Sequence, residues 1–266
     1  MLEEEVPSKE PLVFKNELAP KGRIIHKGIF SPDLRAYYYT LSDEDFSNFD
    51  IYVIRFEDEK WSEPEQAFFN TPFNEHGMSF SPDGKSIFFS STKPVNQEGV
   101  SDTWHIWRSD MVNGKWSEPV FVDIPNLRDQ LVSHPTVADD GTLYFHVSNP
   151  DFSEMDLFYA EYENGQYGEA KKMTFDEIAR SGRCTPFIAP DEEYIIYAEI
   201  GEYLDLKISY KDENGEWSNT KSLNTVINTF GQGNPFVTPD QRFLFYTTAS
   251  ENEGWQVKWI PLEKAL

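Results

Sequence analysis

The sequence predicts an all-β protein, a five-bladed β-propeller built from four-stranded blades. A phrase of the Ser-Pro-Asp type recurs along the chain, and an alternating aromatic stretch follows each copy. The aspartates of these phrases fall at nearly constant steps, at Asp33, Asp83, Asp140, Asp191 and Asp240. Four-stranded units that repeat radially around an axis form a propeller, and five such units fill almost the whole chain.

The units predict four strands in a fixed order. Strand a precedes the Ser-Pro-Asp turn, in which Pro fixes φ and Asp or Gly tolerates the bend. Strand b is the aromatic run, such as Ser86-Ile-Phe-Phe-Ser90, and strand c is a run such as Asp50-Ile-Tyr-Val53. A second signature, Glu59-Lys-Trp-Ser-Glu-Pro64 in the first unit, leads into strand d. Period-2 alternation and aromatic enrichment favour strands in each case.

The two ends of the chain complement each other. The fifth unit ends after strand c, whereas the first unit is preceded by Pro11-Leu-Val-Phe-Lys-Asn-Glu17, which has the pattern of a strand d. We expect this N-terminal strand to complete the last blade, close the ring and cover a strand edge. The prediction is a single propeller domain over residues 11–266, monomeric, preceded by a disordered tail over residues 1–10.

Composition supports an ordered fold and limits the partners. Of the 266 residues 15% are aromatic, which is typical of a packed core and not of a disordered acidic chain. The 46 Asp and Glu outnumber the 23 Lys and Arg and give a formal charge of −23. Such a charge repels phosphates, so we expect no nucleic-acid partner. No apolar run is long enough to cross a bilayer, so we expect no membrane insertion.

The repeat resembles that of a known family. The phrases Phe80-Ser-Pro-Asp-Gly-Lys-Ser-Ile-Phe-Phe-Ser-Ser91 and Gly114-Lys-Trp-Ser-Glu-Pro119 are similar to the PD40 (WD40-like) repeat of TolB-like β-propellers. The spacer Leu223-Asn-Thr-Val-Ile-Asn-Thr229 is similar to that of propellers in exported bacterial proteins. The resemblance implies a propeller and a periplasmic or secreted location. The first residues lack the pattern of a signal peptide, so a cytoplasmic location stays open.

Histidines gather at the predicted axis. Residues that open each strand a converge near the central channel of a propeller. Aligning the units on their aspartates places His26 and His76 in one ring and His134 one position later. Imidazoles there are candidate catalytic acid or base groups, or ligands of a divalent metal such as Mn, Fe, Ni, Zn or Ca. The resemblance adds that TolB-like oligogalacturonate lyases carry a His-based metal site in the same general place. A metal-free polar pocket and simple packing are the alternatives.

Other polar residues align with this mouth. The predicted ligand-binding set is Glu75, His76, His134, Arg183, Gln232 and Asn234. The guanidinium of Arg183 could hold the carboxylate of a sugar acid or peptide, or pair with a loop acid. Loops at the rim combine acids with aromatic residues such as Phe46, Trp104 and Phe152, a pattern that suits a glycan or a basic peptide.

Two functional hypotheses follow from the axis. In the first, the protein is an extracytoplasmic recognition propeller that binds a peptide, protein or glycan ligand at the axial mouth. In the second, it is a metal-assisted lyase or hydrolase that acts on an acidic carbohydrate, with the axial histidines as ligands or base. A third interpretation is a scaffold whose mouth is filled by its own side chains. The sequence leaves open whether the protein is an enzyme.

Overall fold

Five antiparallel sheets form a ring in the computed structural model, which describes residues 5–250 and 254–266. The innermost strand of each sheet contacts the innermost strands of the sheets on either side, and the fifth contacts the first. The predicted all-β, five-bladed propeller is therefore confirmed. No helix in these ranges is long and apolar enough to cross a membrane.

The strands follow the chain from one blade to the next, each blade starting at the axis. The N-terminal strand is β1 (Leu12–Val13), followed by a 3-10 turn at Asn16–Leu18. Blade one contains β2 (Arg23–Phe30), β3 (Ala36–Asp43), β4 (Asp50–Glu57), β5 (Lys60–Trp61) and β6 (Glu65–Gln66). Blade two contains β7 (Glu75–Phe80), β8 (Ser86–Ser91), β9 (His105–Val112), β10 (Lys115–Trp116) and β11 (Val120–Phe121), followed by a 3-10 turn at Pro125–Leu127.

The remaining blades repeat this plan. Blade three contains β12 (Leu131–Val137), β13 (Leu143–Ser148), β14 (Met155–Ala160) and β17 (Lys171–Lys172), with a hairpin of β15 (Tyr162–Glu163) and β16 (Gln166–Tyr167). Blade four contains β18 (Gly182–Ile188), β19 (Tyr194–Ile200), β20 (Leu204–Lys211) and β21 (Trp217–Ser222). Blade five contains β22 (Gln232–Val237), β23 (Phe243–Ser250) and β24 (Gly254–Pro261), and the short helix α1 (Leu262–Ala265) follows.

The N-terminal strand closes the ring as expected. Strand β1 pairs with β24, and the amide of Phe14 donates to the carbonyl of Val257 at 2.8 Å. The ring of Phe14 is 1% exposed and meets Phe245 of blade five at 5.2 Å and Tyr37 of blade one at 4.9 Å. One aromatic side chain thus joins the last blade to the first. Residues 5–10 contain no helix or strand, and residues 1–4 lie outside the described ranges, so the disordered tail stays a prediction.

The recurring aspartate has a clear role in the turn between the first two strands of a blade. In blade one the carboxylate of Asp33 accepts hydrogen bonds from the Ser31 hydroxyl at 2.6 Å and the Arg35 amide at 3.0 Å. Asp83 does the same in blade two, and the amide of Lys85 holds the pKa of its carboxyl below the usual value. The aspartate therefore satisfies backbone donors that the tight turn leaves unpaired.

Candidate functional site at the axial mouth

A β-bulge interrupts every inner strand at the level of the axial mouth. The register shifts lie between Ile25 and Gly28, His76 and Ser79, Ser133 and Thr136, Cys184 and Phe187, and Gly233 and Phe236. In four of these bulges one residue has a left-handed backbone, namely Gly77, His134, Thr185 and Asn234. Bulges redirect side chains and are enriched beside functional sites. They decide which side chains point toward one another here.

Hydrogen bonds between neighbouring blades hold the bulges in place. The amide of His134 donates to the Ser90 hydroxyl at 3.0 Å, and the amide of Asn234 donates to the Thr185 hydroxyl at 3.2 Å. Thr185 has a φ of 45°, a value that β-branched residues rarely adopt. Such strain persists only where the surrounding structure enforces it, and it is concentrated at binding and catalytic sites.

Three histidine rings meet beside the axis. The ring centroids of His76 and His134 lie 4.4 Å apart at 81°, and those of His134 and His146 lie 4.8 Å apart at 28°. Gly77 makes this contact possible, because a Cβ there would lie 3.1 Å from Cα and ring atoms of His134. The structure therefore brings together two of the predicted histidines and adds His146, which the sequence analysis did not select.

A directed chain of hydrogen bonds runs through this cluster. The Thr185 amide donates to Nδ1 of His146 at 3.3 Å, so Nε2 carries the proton of the neutral His146 ring. That nitrogen donates to the Ser133 hydroxyl at 2.7 Å, and the hydroxyl can then donate to Nδ1 of His134 at 3.1 Å. In this arrangement Nε2 of His134 is left as a donor. A backbone N–H thus sets the tautomer of His146 and, through the Ser133 hydroxyl, favours one tautomer of His134.

An aromatic wall extends from the imidazoles around the mouth. The His76 ring lies 4.1 Å from Trp104 and 5.5 Å from Phe49, measured between centroids. Phe49 in turn lies 5.1 Å from His26, which lies 5.8 Å from Trp255. This aromatic wall, comprising Trp255, His26, Phe49, His76 and Trp104, draws on blades five, one and two.

Burial keeps the imidazoles neutral. Desolvation lowers the pKa of His26 to about 4 and that of His146 to about 3. The pKa values of His76 and His134 are lowered well below 6.5, chiefly by desolvation and further by neighbouring imidazoles and Lys27. At neutral pH these rings are therefore uncharged donors and acceptors, and are poorly suited to hold an anion by charge.

Polar atoms of His76 and Asn234 at the mouth lack a partner among the described residues. Nε2 of His76 and Oδ1 of Asn234 are buried and have no hydrogen-bond partner among the described residues. Leaving such a group unsatisfied costs about 1–3 kcal/mol. Most buried polar atoms in native proteins are paired, so an unpaired one calls for an explanation such as a ligand.

Two predicted ligand-binding residues face away from the imidazoles. The carboxylate of Glu75 accepts from the Thr71 hydroxyl at 2.6 Å and the Ser91 hydroxyl at 2.8 Å, and the residue is fully buried. Burial raises the pKa of Glu75, and the hydrogen bonds from Thr71 and Ser91 oppose the rise. The side-chain amide nitrogen of Gln232 donates to the hydroxyls of Thr229 and Thr248. Glu75 and Gln232 come directly before His76 and Gly233, the last paired residues ahead of the bulges. Because side chains alternate between the two faces of a strand, the side chains of Glu75 and Gln232 lie on the opposite face. A ligand contact for either one stays a prediction.

Arg183 lies in a different cleft, between blades three and four. The cleft has a volume of about 640 Å³. There the guanidinium contacts Asp156 at 3.2 Å, donates to the Glu177 carbonyl at 2.6 Å and lies 4.4 Å from the Phe175 ring centroid. The side chain is only 8% exposed. The structure thus pairs Arg183 with an acid of strand β14 and not with a loop acid, and its proposed contact with a ligand carboxylate stays a prediction.

The predicted metal ligands do not form a three-ligand site. Nε2 of His26 is 2.8 Å from the Ser42 hydroxyl, and its ring packs against Phe46 and Phe49. Within residues 5–250 and 254–266, no three His, Cys, Asp or Glu side chains are grouped closely enough to hold a metal ion. The arrangement does not fit a metal centre made of His26, His76 and His134. Metal binding stays a prediction.

Solved structures share this fold. The chain is similar to putative TolB from Agrobacterium tumefaciens, with 16% identity, a TM-score of 0.51 and 90% of each chain covered. The fold is that of a TolB-like β-propeller. The chain spans 65% of the length of TolB from Acinetobacter baumannii, matching over 96% of its own length at 16% identity and a TM-score of 0.48. No family model and no curated protein matches the sequence.

Solved structures with other names also share the fold of this chain. The structure of a BT0996 RGII complex matches with 11% identity and a TM-score of 0.61, over 96% of this chain and 91% of that one. A glycoside hydrolase matches with 10% identity and a TM-score of 0.60, over 97% and 92% of the two chains. Likeness at such identities concerns the fold alone, so function must be argued from the site.

Proposed function

We propose that this protein is a non-enzymatic recognition propeller that binds a peptide, protein or glycan at its axial mouth. The observation that carries the proposal is the unpaired Nε2 of His76, set among the rings of Phe49, Trp104 and His134. A ligand that offers a hydrogen-bonding group beside an apolar face would satisfy the nitrogen and cover the rings. Ligand sites commonly combine an apolar lining with few, well-placed polar groups in this way.

The rim extends the aromatic wall outward. Phe46 is 52% exposed, and its ring lies 5.6 Å from Trp255 and 5.9 Å from His26. Exposed aromatic rings stack on sugar faces and on the flat or cyclic side chains of peptides. The net charge of −23 favours a neutral glycan or a basic peptide over an acidic ligand.

The fold likeness to TolB also supports a location outside the cytoplasm. We place the protein in the periplasm or the secreted fraction, with the cytoplasm as the alternative. Fractionation of cells that express the natural gene separates these locations, and gel filtration tests the predicted monomer.

The metal-assisted lyase or hydrolase is the competing prediction. Elemental analysis of the purified native protein, with a thermal shift with and without EDTA, tests it directly. Near-stoichiometric metal and a melting temperature that falls on chelation would favour the enzyme, because a metal bound to the folded state stabilises it.

The proposed function is tested by probing wild-type protein against glycan and peptide arrays and titrating the strongest hit by calorimetry. His76→Gln removes the unpaired imidazole nitrogen, and His105→Gln is the matched control. His105 is the other histidine of blade two; it is buried, and its Nε2 is 2.8 Å from the Ser101 carbonyl oxygen. We expect His76→Gln to weaken binding about tenfold or more, whereas His105→Gln binds as wild type.

The outcomes separate the ligand classes. Hits confined to glycans or to peptides identify the class, and melting temperatures of both variants show whether each is folded. The proposal is overturned by wild-type protein that binds nothing on either array, or by a folded His76→Gln variant with unchanged affinity.

A further inference from the structure

A small cavity lies in the axial channel below the imidazoles, apart from the Arg183 cleft. It has a volume of about 120 Å³ and extends from Lys27 to the prolines of four turns at the opposite face, Pro32, Pro82, Pro190 and Pro239. Its walls are largely apolar and include Ile29, Phe30, Phe80, Val137, Phe187 and Phe236. The cavity is thus built by all five inner strands and four of their turns.

Lys27 is the only charged residue among the described residues that line this cavity. It is 5% exposed, and no Asp or Glu of the described residues forms an ion pair with its ammonium group. By contrast, the buried cation Arg183 is paired with Asp156 at 3.2 Å. Isolated buried charges are costly and are normally paired or bound to a ligand.

A second polar group without a protein partner lines the same cavity. The hydroxyl of Ser79 is buried, the residue is 8% exposed, and no described residue accepts or donates a hydrogen bond at its Oγ. Unlike Ser31 and Ser81 in the turns, it has no local aspartate to bind. One ammonium group and one hydroxyl, both donors, therefore face a largely apolar space. The other polar lining residues, Ser81, Thr136 and Gln241, are each hydrogen-bonded within the protein.

A shift in the position of one bulge distinguishes Lys27 from its counterparts. The bulge of β2 contains residues 26 and 27, one position earlier in its blade than the bulge of β7, which contains residues 77 and 78. The second bulge residue of the other blades is Met78, Pro135, Pro186 or Pro235. Only blade one places a charged side chain at this position.

Among the described residues, no acidic group on the imidazole side compensates the charge of Lys27. The rings nearest in that direction, His26, His76 and His134, have lowered pKa values and are neutral at pH 7. Desolvation lowers the pKa of Lys27 itself to about 8, so the ammonium form still predominates at neutral pH. An anion in the cavity would stabilise that form.

We propose that the axial channel is a carboxylate-binding site, in which the Lys27 ammonium and the Ser79 hydroxyl hold the carboxylate and the apolar walls hold a short alkyl chain. The cavity has the volume of about four water molecules at roughly 30 Å³ each, which limits the ligand to carboxylates of a few carbons. Phosphate and sulfate have no apolar part to bury against these walls. The site is separate from the proposed ligand site of the mouth, and neither depends on the other.

The test titrates native protein with sodium butyrate by calorimetry and thermal shift, with butyramide as the neutral control and sodium chloride to match ionic strength. We expect saturable binding of butyrate with a raised melting temperature, and neither effect with butyramide. Lys27→Met should weaken butyrate binding about tenfold or more, and Ser79→Ala should weaken it by a smaller factor. Lys115→Met, which changes an exposed lysine of the outer strand β10, should bind as wild type.

Direct contacts make the test independent of how the variants fold. With isotope-labelled butyrate, nuclear Overhauser effects to the ring protons of Phe187 and Phe236 should appear in wild-type protein. Lack of saturable butyrate binding, or unchanged affinity in folded Lys27→Met, overturns the proposal. Inorganic phosphate is run in parallel, and binding of phosphate without butyrate overturns the assignment to a carboxylate.

Discussion

The imidazole rings of His76 and His134 meet nearly at right angles with centroids 4.4 Å apart, although the two residues occupy different positions in their blades. His76 is the last paired residue before the bulge of β7, whereas His134 is the first bulge residue of β12. The left-handed backbone of His134 directs its ring onto Gly77 of the preceding blade. The centre of the mouth therefore depends on a backbone feature as much as on residue type.

Gly77→Ala tests this dependence. The new Cβ would lie 3.1 Å from His134 atoms at a φ of 61°, so it adds a steric conflict to the backbone strain. We expect a loss of about 2 kcal/mol in the free energy of unfolding and displaced His134 ring signals in NMR spectra. Gly114→Ala is the matched control, since Gly114 has a φ of 77° and nothing within 4 Å of a Cβ. Gly114→Ala should lose only about 1 kcal/mol in the free energy of unfolding. Equal losses for the two variants in urea unfolding would contradict a close contact between Gly77 and His134.

The axial histidines predict a specific response to acid. A base whose pKa is lowered by folding binds fewer protons in the native than in the unfolded state. Its contribution to stability is complete above the unfolded pKa of about 6.5 and is lost as pH falls toward the folded values. Those values are about 4 for His26 and about 3 for His146. NMR titration should find these two rings still neutral at about pH 5.5, while urea unfolding shows stability falling below about pH 6.5. Titration midpoints near 6.5 for both rings would argue against a buried cluster.

Lys27→Met should stabilise the protein at neutral pH. The folded-state pKa of Lys27 is lowered from 10.5 to about 8, so the native state is disfavoured below pH 8 by an uncompensated charge. The penalty is on the order of 3 kcal/mol and is relieved as pH rises from about 8 to 10.5. In ligand-free buffer, the gain in unfolding free energy over wild type should therefore be largest below pH 8 and shrink toward pH 10.5. A variant that is no more stable than wild type at pH 7 would show that this ammonium group is not isolated.

Tyr37→Phe is expected to preserve or raise stability. The Tyr37 hydroxyl is fully buried, has no hydrogen-bond partner among the described residues, and lies against Gly28. Removing an unsatisfied polar atom relieves a desolvation cost of about 1 kcal/mol or more. Tyr144→Phe is the contrasting control, because the Tyr144 hydroxyl donates to the carboxylate of Glu192. This variant should lose about 1–2 kcal/mol in the free energy of unfolding. Thermal unfolding that ranks the two variants in the reverse order would contradict this interpretation.

The sequence predicted the repeats far better than the directions of the axial side chains. The Ser-Pro-Asp turns and the N-terminal strand were recognisable because each depends on local chemistry or on pattern. The pairing of Arg183 with Asp156 was not, since it joins blades three and four through tertiary packing.

The bulges explain what the alignment missed. An insertion of one residue changes which side chains face the axis, so alignment on the aspartates could not reveal the environment of Lys27. His146 had a usable signal, because hairpin register places it opposite Ser133, the aligned counterpart of His76. Alignment of strand a alone does not show this pairing, which requires strand b to be aligned as well.

The central claim is that ligands bind at the unpaired nitrogen of His76, and the most direct measurement is calorimetric titration of the strongest array ligand into wild type, His76→Gln and His105→Gln. The account predicts affinity about tenfold or more lower for His76→Gln alone, with all three proteins folded. Equal affinity in wild type and folded His76→Gln would contradict it.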